Sequence, residues 1–242
     1  MAVVLEGGCR VSTMHEGVPH VSGSLKIWNQ IGKANGAEAI SLRILEFGPG
    51  TSPGLRNRES DEVFYLLDDS GECTIFIDGN TYDVGPQTGI YLRPGQTLSV
   101  ENPGPDPVWF VSSQADSKLD HRVESHVSPI VKLSHRRALP TADRWYRVLV
   151  DEEVGSEQVT QFVGSIPPGR APDHFHEYEE VLFILRGEGR MWAGETNTPI
   201  APGSCIYLPK RQVHCVENTG EGELRLLGVF YPAGSPAVRY EA

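Results

Sequence analysis

Residues 169–180 read GRAPDHFHEYEE, and this stretch contains the pattern that decides the interpretation of the whole chain. His174 and His176 are two positions apart, so on a β-strand both imidazole rings point to one face. Glu180 keeps the same parity, and His214 follows on a separate strand. Three imidazoles and one carboxylate that converge would form a site of nitrogen and oxygen donors. Such a site suits Fe(II), Mn(II), Ni(II), Co(II) or Zn(II).

Short apolar runs continue on both sides of this stretch. Examples are residues 63–67, 90–92, 181–185 and 224–231, and the segments between them are rich in Gly, Pro, Asn and Asp. Runs that recur about every 8–12 residues with turn residues between them are typical of β-sandwiches and β-barrels. We therefore predict an all-β fold, with one short helix candidate at residues 116–122.

A repeat relates the two halves of the chain. The sequence IYL at residues 90–92 recurs at 206–208, and VEN at 100–102 recurs at 216–218, both 116 positions later. Because these landmarks keep their order and spacing, the chain is interpreted as a tandem duplication.

Each half is about 110–120 residues long, which is an ordinary size for one domain. The polar stretch at residues 112–143 has few strand signals and is the expected seam. We predict an N-terminal domain at residues 1–125 and a C-terminal domain at residues 126–242.

The second half resembles the cupin superfamily in two motifs. From Gly169 it reads G-x4-H-x-H-x3-E-x6-G, and from Gly203 it reads G-x5-P-x4-H-x3-N. The first gap is one residue shorter than usual and Arg211 stands where glycine is preferred, but neither departure touches a ligand position. The resemblance implies two tandem jelly-roll barrels, a bicupin. The metal ligands that it implies are His174, His176, Glu180 and His214.

The corresponding positions of the first half hold Arg56, Arg58, Glu62 and Leu98. Arginine offers only hydrogen-bond donors and leucine offers no ligand atom, so we expect no metal in the N-terminal barrel. Three roles stay open for the arginines. They form an ion pair with Glu62 that fills the former metal cavity, bind the carboxylate of an anionic ligand, or lie exposed at the surface.

Composition and charge exclude several classes of protein. The 21 Lys and Arg against 32 Asp and Glu give a net charge of −11, whereas a nucleic-acid binder needs a basic surface. No apolar run approaches the roughly 20 residues that cross a bilayer, and residues 1–8 lack the features of a signal peptide. We therefore expect a cytoplasmic protein without a membrane partner. The four cysteines form no CxxC pair and are interpreted as free thiols.

The resemblance further implies a metal-dependent enzyme with one divalent transition metal per chain, with Fe favoured over Mn, Ni and Zn. The favoured reaction is dioxygenation of a small organic acid, ketone or phenolic compound. The alternatives are an isomerase, a decarboxylase, a hydrolase similar to ureidoglycine aminohydrolase, and a non-catalytic cupin that binds a small ligand. A homodimer is expected because cupins commonly assemble through their sheets. The candidates for the substrate pocket are Phe162, Leu182, Ile184, Arg190, Trp192 and Tyr207.

Overall fold

The computed structural model describes residues 1–57, 59–116, 127–141, 143–238 and 240–241. Within these ranges the regular structure consists of β-strands and four short 3₁₀ helices, which confirms the all-β prediction. The 3₁₀ helices are Glu6–Gly8, Lys33–Asn35, Leu133–His135 and Glu152–Val154. The helix expected at residues 116–122 lies outside the described residues except for Asp116, which ends a strand.

The strands are numbered in chain order. In the first half they are β1 (Val3–Val4), β2 (Arg10–Thr13), β3 (His20–Ser22), β4 (Leu25–Ile31), β5 (Leu42–Phe47), β6 (Gly50–Thr51), β7 (Leu55–Arg56), β8 (Ser60–Leu66), β9 (Cys73–Ile77), β10 (Asn80–Val84), β11 (Thr88–Leu92), β12 (Thr97–Asn102) and β13 (Val108–Asp116). In the second half they are β14 (Ile130–Lys132), β15 (Leu139–Thr141), β16 (Arg144–Val150), β17 (Thr160–Ile166), β18 (Gly169–Arg170), β19 (His174–Phe175), β20 (Glu179–Arg186), β21 (Gly189–Ala193), β22 (Thr196–Ile200), β23 (Ser204–Leu208), β24 (His214–Asn218), β25 (Leu224–Tyr231) and β26 (Tyr240–Glu241).

In the described part of the chain, four sheets form two barrels, and each barrel combines a larger and a smaller sheet. The N-terminal barrel has a larger sheet in the order β14-β11-β8-β13-β5-β4-β3 and a smaller sheet in the order β10-β9-β12-β6, with β7 also on β12. The C-terminal barrel has a larger sheet in the order β1-β2-β23-β20-β25-β17-β16-β15 and a smaller sheet in the order β22-β21-β24-β19-β26, with β18 also on β24. Two antiparallel sheets per unit is the jelly-roll architecture.

Three strands join the sheet of the opposite half. β1 and β2 extend the larger sheet of the C-terminal barrel, because β2 pairs with β23. β14 lies beyond residue 125 but pairs with β11 in the N-terminal barrel. Each half therefore covers a sheet edge of the other half, and a covered edge cannot pair with another chain. The division between residues 125 and 126 stays a prediction.

Apolar side chains form three cores. One core fills the N-terminal barrel and contains Phe47, and a second fills the C-terminal barrel and contains Phe162. The third lies between the two larger sheets. Strand β23 shows the alternation, since Ile206 belongs to the barrel interior whereas Cys205 and Tyr207 belong to the core between the barrels. Strands of the larger sheets read as continuous apolar runs because both of their faces are covered.

The repeated VEN sequence ends in an asparagine that makes the same contacts in each barrel. The buried side-chain amides of Asn102 and Asn218 each donate to two backbone carbonyls at 2.7–3.0 Å. Each side-chain oxygen also accepts from the backbone N–H two positions later, which is Gly104 at 3.0 Å and Gly220 at 2.9 Å. The repeat therefore preserves one turn after β12 and one after β24, where backbone groups would otherwise be buried without partners.

Two further expectations concern membranes and thiols. Among the helices that the structure describes, none combines the length and apolar character that crossing a membrane requires. The four cysteines are free and buried, which confirms their interpretation as unpaired thiols. Burial raises the pKa of Cys9 and Cys73 to about 12, so both thiols stay protonated at neutral pH.

Candidate metal centre

Three histidines meet where two strands of the smaller C-terminal sheet pair. His174 on β19 lies opposite His214 on β24, and His176 follows β19 directly. The ring centroids are 4.6 Å apart for His174 and His214, 5.2 Å for His176 and His214, and 5.0 Å for His174 and His176. One ring nitrogen of each histidine lies within 4.8 Å of the other two. This is close to the spacing of ligands that share one ion, since metal–nitrogen bonds are about 2.0–2.1 Å long.

The backbone selects one tautomer of each histidine. The three Nδ1 atoms lie 3.0, 3.1 and 2.7 Å from backbone carbonyl oxygens. The pairs, in that order, are His174 with Pro172, His176 with Val238, and His214 with Gln212. Because a carbonyl oxygen can only accept, each Nδ1 carries a proton, and in a neutral imidazole this leaves the lone pair on Nε2. When neutral, all three imidazoles are therefore the tautomer that ligates a metal through Nε2.

Glu180 on β20 adds a carboxylate next to this group. Its Oε2 lies 3.8 Å from Nε2 of His176, and its side chain is 6% exposed. Burial raises the pKa of Glu180 to about 8. Burial, together with the neighbouring His174, lowers the pKa of His214 to about 3, so this imidazole stays neutral. Three imidazoles that present Nε2 and a buried carboxyl group fit a divalent cation, because the cation would supply the positive charge that this buried group lacks.

The four residues line a cavity of about 110 Å³. Much of its wall is apolar and includes Tyr146, Phe162, Leu182 and Leu226. Arg144 lines the same cavity and its side chain is 15% exposed. A guanidinium beside a metal site is suited to hold a carboxylate, because its five N–H donors match two acceptor oxygens.

Sequence reasoning missed Arg144, although the repeat contains a signal for it. Strands β4 and β16 are both 7 residues long. Each has a bulge four to six residues after its first residue, at Asn29/Ile31 in β4 and at Val148/Val150 in β16. Aligned on these bulges, Arg144 corresponds to Leu25, which is 2% exposed in the interior of the N-terminal barrel. A charged residue at an inward position of only one barrel indicates a function in that barrel.

The six predicted pocket residues are distributed over four environments. Phe162 and Leu182 line the cavity, whereas Ile184 is fully buried in the surrounding core. Arg190 and Trp192 alternate with the buried residues of β21, so they point out of the barrel, where the indole N–H of Trp192 donates to Glu217 at 2.7 Å.

Tyr207 lies on the opposite face of its strand from the cavity. It belongs to the core between the barrels, and its hydroxyl donates to Glu179 at 2.5 Å. The same carboxylate accepts from the backbone N–H groups of Glu38 and Ala39, at 2.9 and 2.8 Å. Tyr207 and Glu179 therefore join the two halves.

In the N-terminal barrel, Glu62 pairs with an arginine that the sequence analysis did not name. Arg43 on β5 forms the ion pair with Glu62, and Ser112 and Gln114 also donate to its carboxylate, at 2.5 and 3.0 Å. Arg56 is exposed, so it has the third of the roles considered above, a position at the surface. Leu98 is buried in the apolar core, and Arg58 lies outside the described residues.

Comparisons with known proteins point to one family. The family described as Cupin domain matches residues 162–230. Auxin-binding protein 1 from Arabidopsis thaliana is 32% identical over 86 residues, which are 31% of this chain and 43% of that protein. The oxalate-binding protein of Thermotoga maritima is 36% identical over 67 residues, which are 27% of this chain and 55% of that protein. The chain thus spans about half the length of the curated relatives that it matches.

Solved structures extend the likeness to both barrels. Protein Ylba from E. coli superimposes with a TM-score of 0.78 at 14% identity and covers 95% of this chain and 93% of its own. A mutant of Bacillus subtilis oxalate decarboxylase OxdC superimposes with a TM-score of 0.77 at 14% identity. The match covers 96% of this chain and 78% of the decarboxylase chain. At such identity the likeness concerns the fold, and it covers the tandem arrangement as well as the single barrel.

Proposed function

Since residues 162–230 match the Cupin domain family and both barrels share the fold of the solved structures above, we propose that this chain is a bicupin enzyme that uses one divalent transition metal in its C-terminal barrel to transform a small organic acid. The observation that carries the proposal is the combination, in one cavity, of a partly buried arginine and three histidines whose Nδ1 atoms contact backbone carbonyls and leave Nε2 for a metal. The histidines and Glu180 would hold the metal. The arginine would hold the acid.

Size and charge support a small acid as the substrate. A cavity of about 110 Å³ is smaller than the ~150 Å³ cavity that accommodates benzene, so a molecule of a few heavy atoms fits. Arg144 would bind a carboxylate through a charge-assisted hydrogen bond. The names of the relatives support the same class, since one is an oxalate-binding protein and another is an oxalate decarboxylase.

For the reaction, we favour Fe(II)-dependent dioxygenation. When bound, the metal would act as a Lewis acid toward the substrate and, in the case of Fe(II), would activate O2. The chain's own residues would orient the acid through Arg144 and exclude water with the apolar wall formed by Phe162, Leu182 and Leu226. Exclusion of water strengthens the electrostatic interactions of the bound acid. Decarboxylation or isomerisation with Mn, Ni or Zn is the alternative within the same site.

Elemental analysis and O2 consumption test the proposal. Freshly purified protein, reconstituted anaerobically with Fe(II), is expected to bind about one Fe per chain and to consume O2 with a member of a panel of small acids. His176→Ala is expected to abolish tight binding of the metal. The matched control is His20→Ala, which changes an exposed histidine on β3 of the other barrel.

The outcomes separate the reaction classes. Uptake of Mn, Ni or Zn without O2 consumption would replace the dioxygenase by a decarboxylase or an isomerase. Absence of any bound metal in wild-type protein, or equal loss in both histidine variants, would refute the assignment of the metal to this site.

A second candidate function is binding of a small acid without turnover. The observation that favours it is that several curated relatives above 30% identity are named binding proteins, for auxin or for oxalate. In that case a small acid would raise the unfolding temperature of the metal-loaded protein by mass action, and product analysis by NMR would find the acid unchanged.

A further inference from the structure

The segment after β25 returns to the metal centre. We call residues 232–238 together with β26 the C-terminal strap. Within it, Pro236 and Ala237 line the same cavity as the three histidines. This part of the chain is therefore a wall of the proposed active site, although it lies outside the two cupin motifs in the sequence.

The strap is attached on both sides of its cavity-lining part. Before it, the hydroxyl of Thr160, which is 1% exposed, donates to the carbonyl of Gly234 at 3.0 Å and accepts from its N–H at 3.1 Å. After it, β26 pairs with β19, the strand that contains His174. The rings of Phe175 and Tyr240 stack there, with centroids 5.3 Å apart and an interplanar angle of 19°.

The strap also supplies the hydrogen-bond partner of one histidine. Nδ1 of His176 lies 3.1 Å from the carbonyl of Val238, 62 positions away. The corresponding partners of the other two histidines are only two positions away, so they belong to the same local backbone. Tyr178 stacks on the His176 ring at 4.6 Å and sets its plane. Stacking cannot distinguish the two ring nitrogens, whereas a carbonyl at Nδ1 can.

We propose that the C-terminal strap is a positioning element of the metal centre, which holds His176 in its Nδ1–H tautomer so that Nε2 faces the cation. The inference rests on the proposed metal site and adds a tertiary requirement to it. Loss of a hydrogen bond that orients a metal-ligating histidine typically weakens metal binding 10- to 100-fold. Detachment of the strap is therefore expected to weaken metal binding even though all four ligands remain.

The test combines metal affinity with a tautomer measurement. The variants are Tyr240→Ala, which removes the stack on Phe175, and a chain truncated after Gly234, which keeps the Thr160 anchor. The controls are Tyr240→Phe, which keeps the stacked ring, and Val238→Ala, which keeps the backbone carbonyl. Affinity is measured with Co(II) alone by competition against a chelator. The tautomer of His176 is read from ¹⁵N NMR shifts of the metal-free protein.

The expected results differ among the four proteins. The truncation weakens Co(II) binding by roughly 10- to 100-fold and Tyr240→Ala changes it in the same direction by less, whereas both controls stay within about twofold. In the truncated chain His176 also loses its preference for the Nδ1–H tautomer. Unchanged Co(II) affinity in a folded truncation, or weakened affinity with an unchanged tautomer, would overturn the proposal.

Two safeguards keep the test decisive. If the truncated chain does not fold, Tyr240→Ala decides, and an unchanged tautomer and affinity in that variant overturn the proposal. If wild-type protein binds no Co(II), the proposed function fails by itself. The tautomer measurement on metal-free protein still tests the strap in that case, because the hydrogen bond from His176 to Val238 requires no metal.

Discussion

Replacement of Arg144 by leucine is expected to weaken binding of a small acid selectively. Leucine is the informative substitution because Leu25 occupies the corresponding inward position of the N-terminal barrel. The variant therefore removes the guanidinium while it keeps an apolar side chain that this fold accommodates. Arg144→Lys retains the charge but not the planar fork, and an intermediate affinity is expected.

The magnitude follows from the burial of the arginine. Its side chain is 15% exposed, so solvent screens a contact with a bound carboxylate only in part. A hydrogen bond to a charged group contributes about 1.5–3 kcal/mol. Since 1.4 kcal/mol corresponds to a factor of ten, the dissociation constant for the acid is expected to rise roughly 10- to 140-fold.

Isothermal titration of the Zn(II)-loaded protein with oxalate and with its neutral analogue oxamide provides the assay. Oxalate affinity should fall in Arg144→Leu, whereas oxamide affinity should stay within about threefold. Metal content is measured after each titration, because oxalate also binds free zinc. The matched control is Arg190→Ala, since that arginine points out of the barrel and bonds to Asn197. Equal losses for oxalate and oxamide, or an equal effect of the two arginine variants, would refute the assignment of Arg144 as the carboxylate-binding residue.

Three further predictions concern stability. Removal of the metal by a chelator should lower the unfolding temperature, because saturation at 100 times the dissociation constant stabilises a protein by about 2.7 kcal/mol; an unchanged calorimetric transition would argue against a bound metal. Arg43→Ala should cost about 3–5 kcal/mol in urea unfolding, since it leaves the Glu62 carboxylate buried without its cation, whereas Arg43→Met combined with Glu62→Leu should recover most of the loss. Asn102→Ala and Asn218→Ala should each cost about 1–3 kcal/mol, because each removes the same buried hydrogen bonds; a large effect of only one would contradict the equivalence of the two turns.

Local patterns explain why the fold class and the three clustered histidines could be predicted. The His-x-His spacing depends only on strand alternation, and the partner His214 belongs to a motif with its own turn residues. The duplication was visible because the buried asparagines and the strands before them must satisfy the same backbone groups in each barrel. The confirmed free cysteines likewise follow from composition and spacing.

The pocket was harder to predict because strand alternation gives only the parity of a side chain. Parity correctly places the side chain of Leu182 on the opposite face of β20 from its two neighbours. It does not tell which face of β21 or β23 meets the cavity. Arg190 and Tyr207 were selected for their chemistry, and both lie on faces that point elsewhere. Arg144, with the matching chemistry, begins a strand that has no motif around it.

Sequence by itself determined the elements of this protein that depend on neighbours along the chain: an all-β duplication and a set of histidines with the spacing of a metal site. Only the tertiary structure decided which residues complete that site. Arg144 and the carbonyl of Val238 reach it from remote segments, and Arg43 rather than Arg56 pairs with Glu62. The physical reason is that strand pairing brings together residues whose separation in the sequence is unconstrained, whereas ligands on one strand or one hairpin are held at a fixed spacing by the backbone itself.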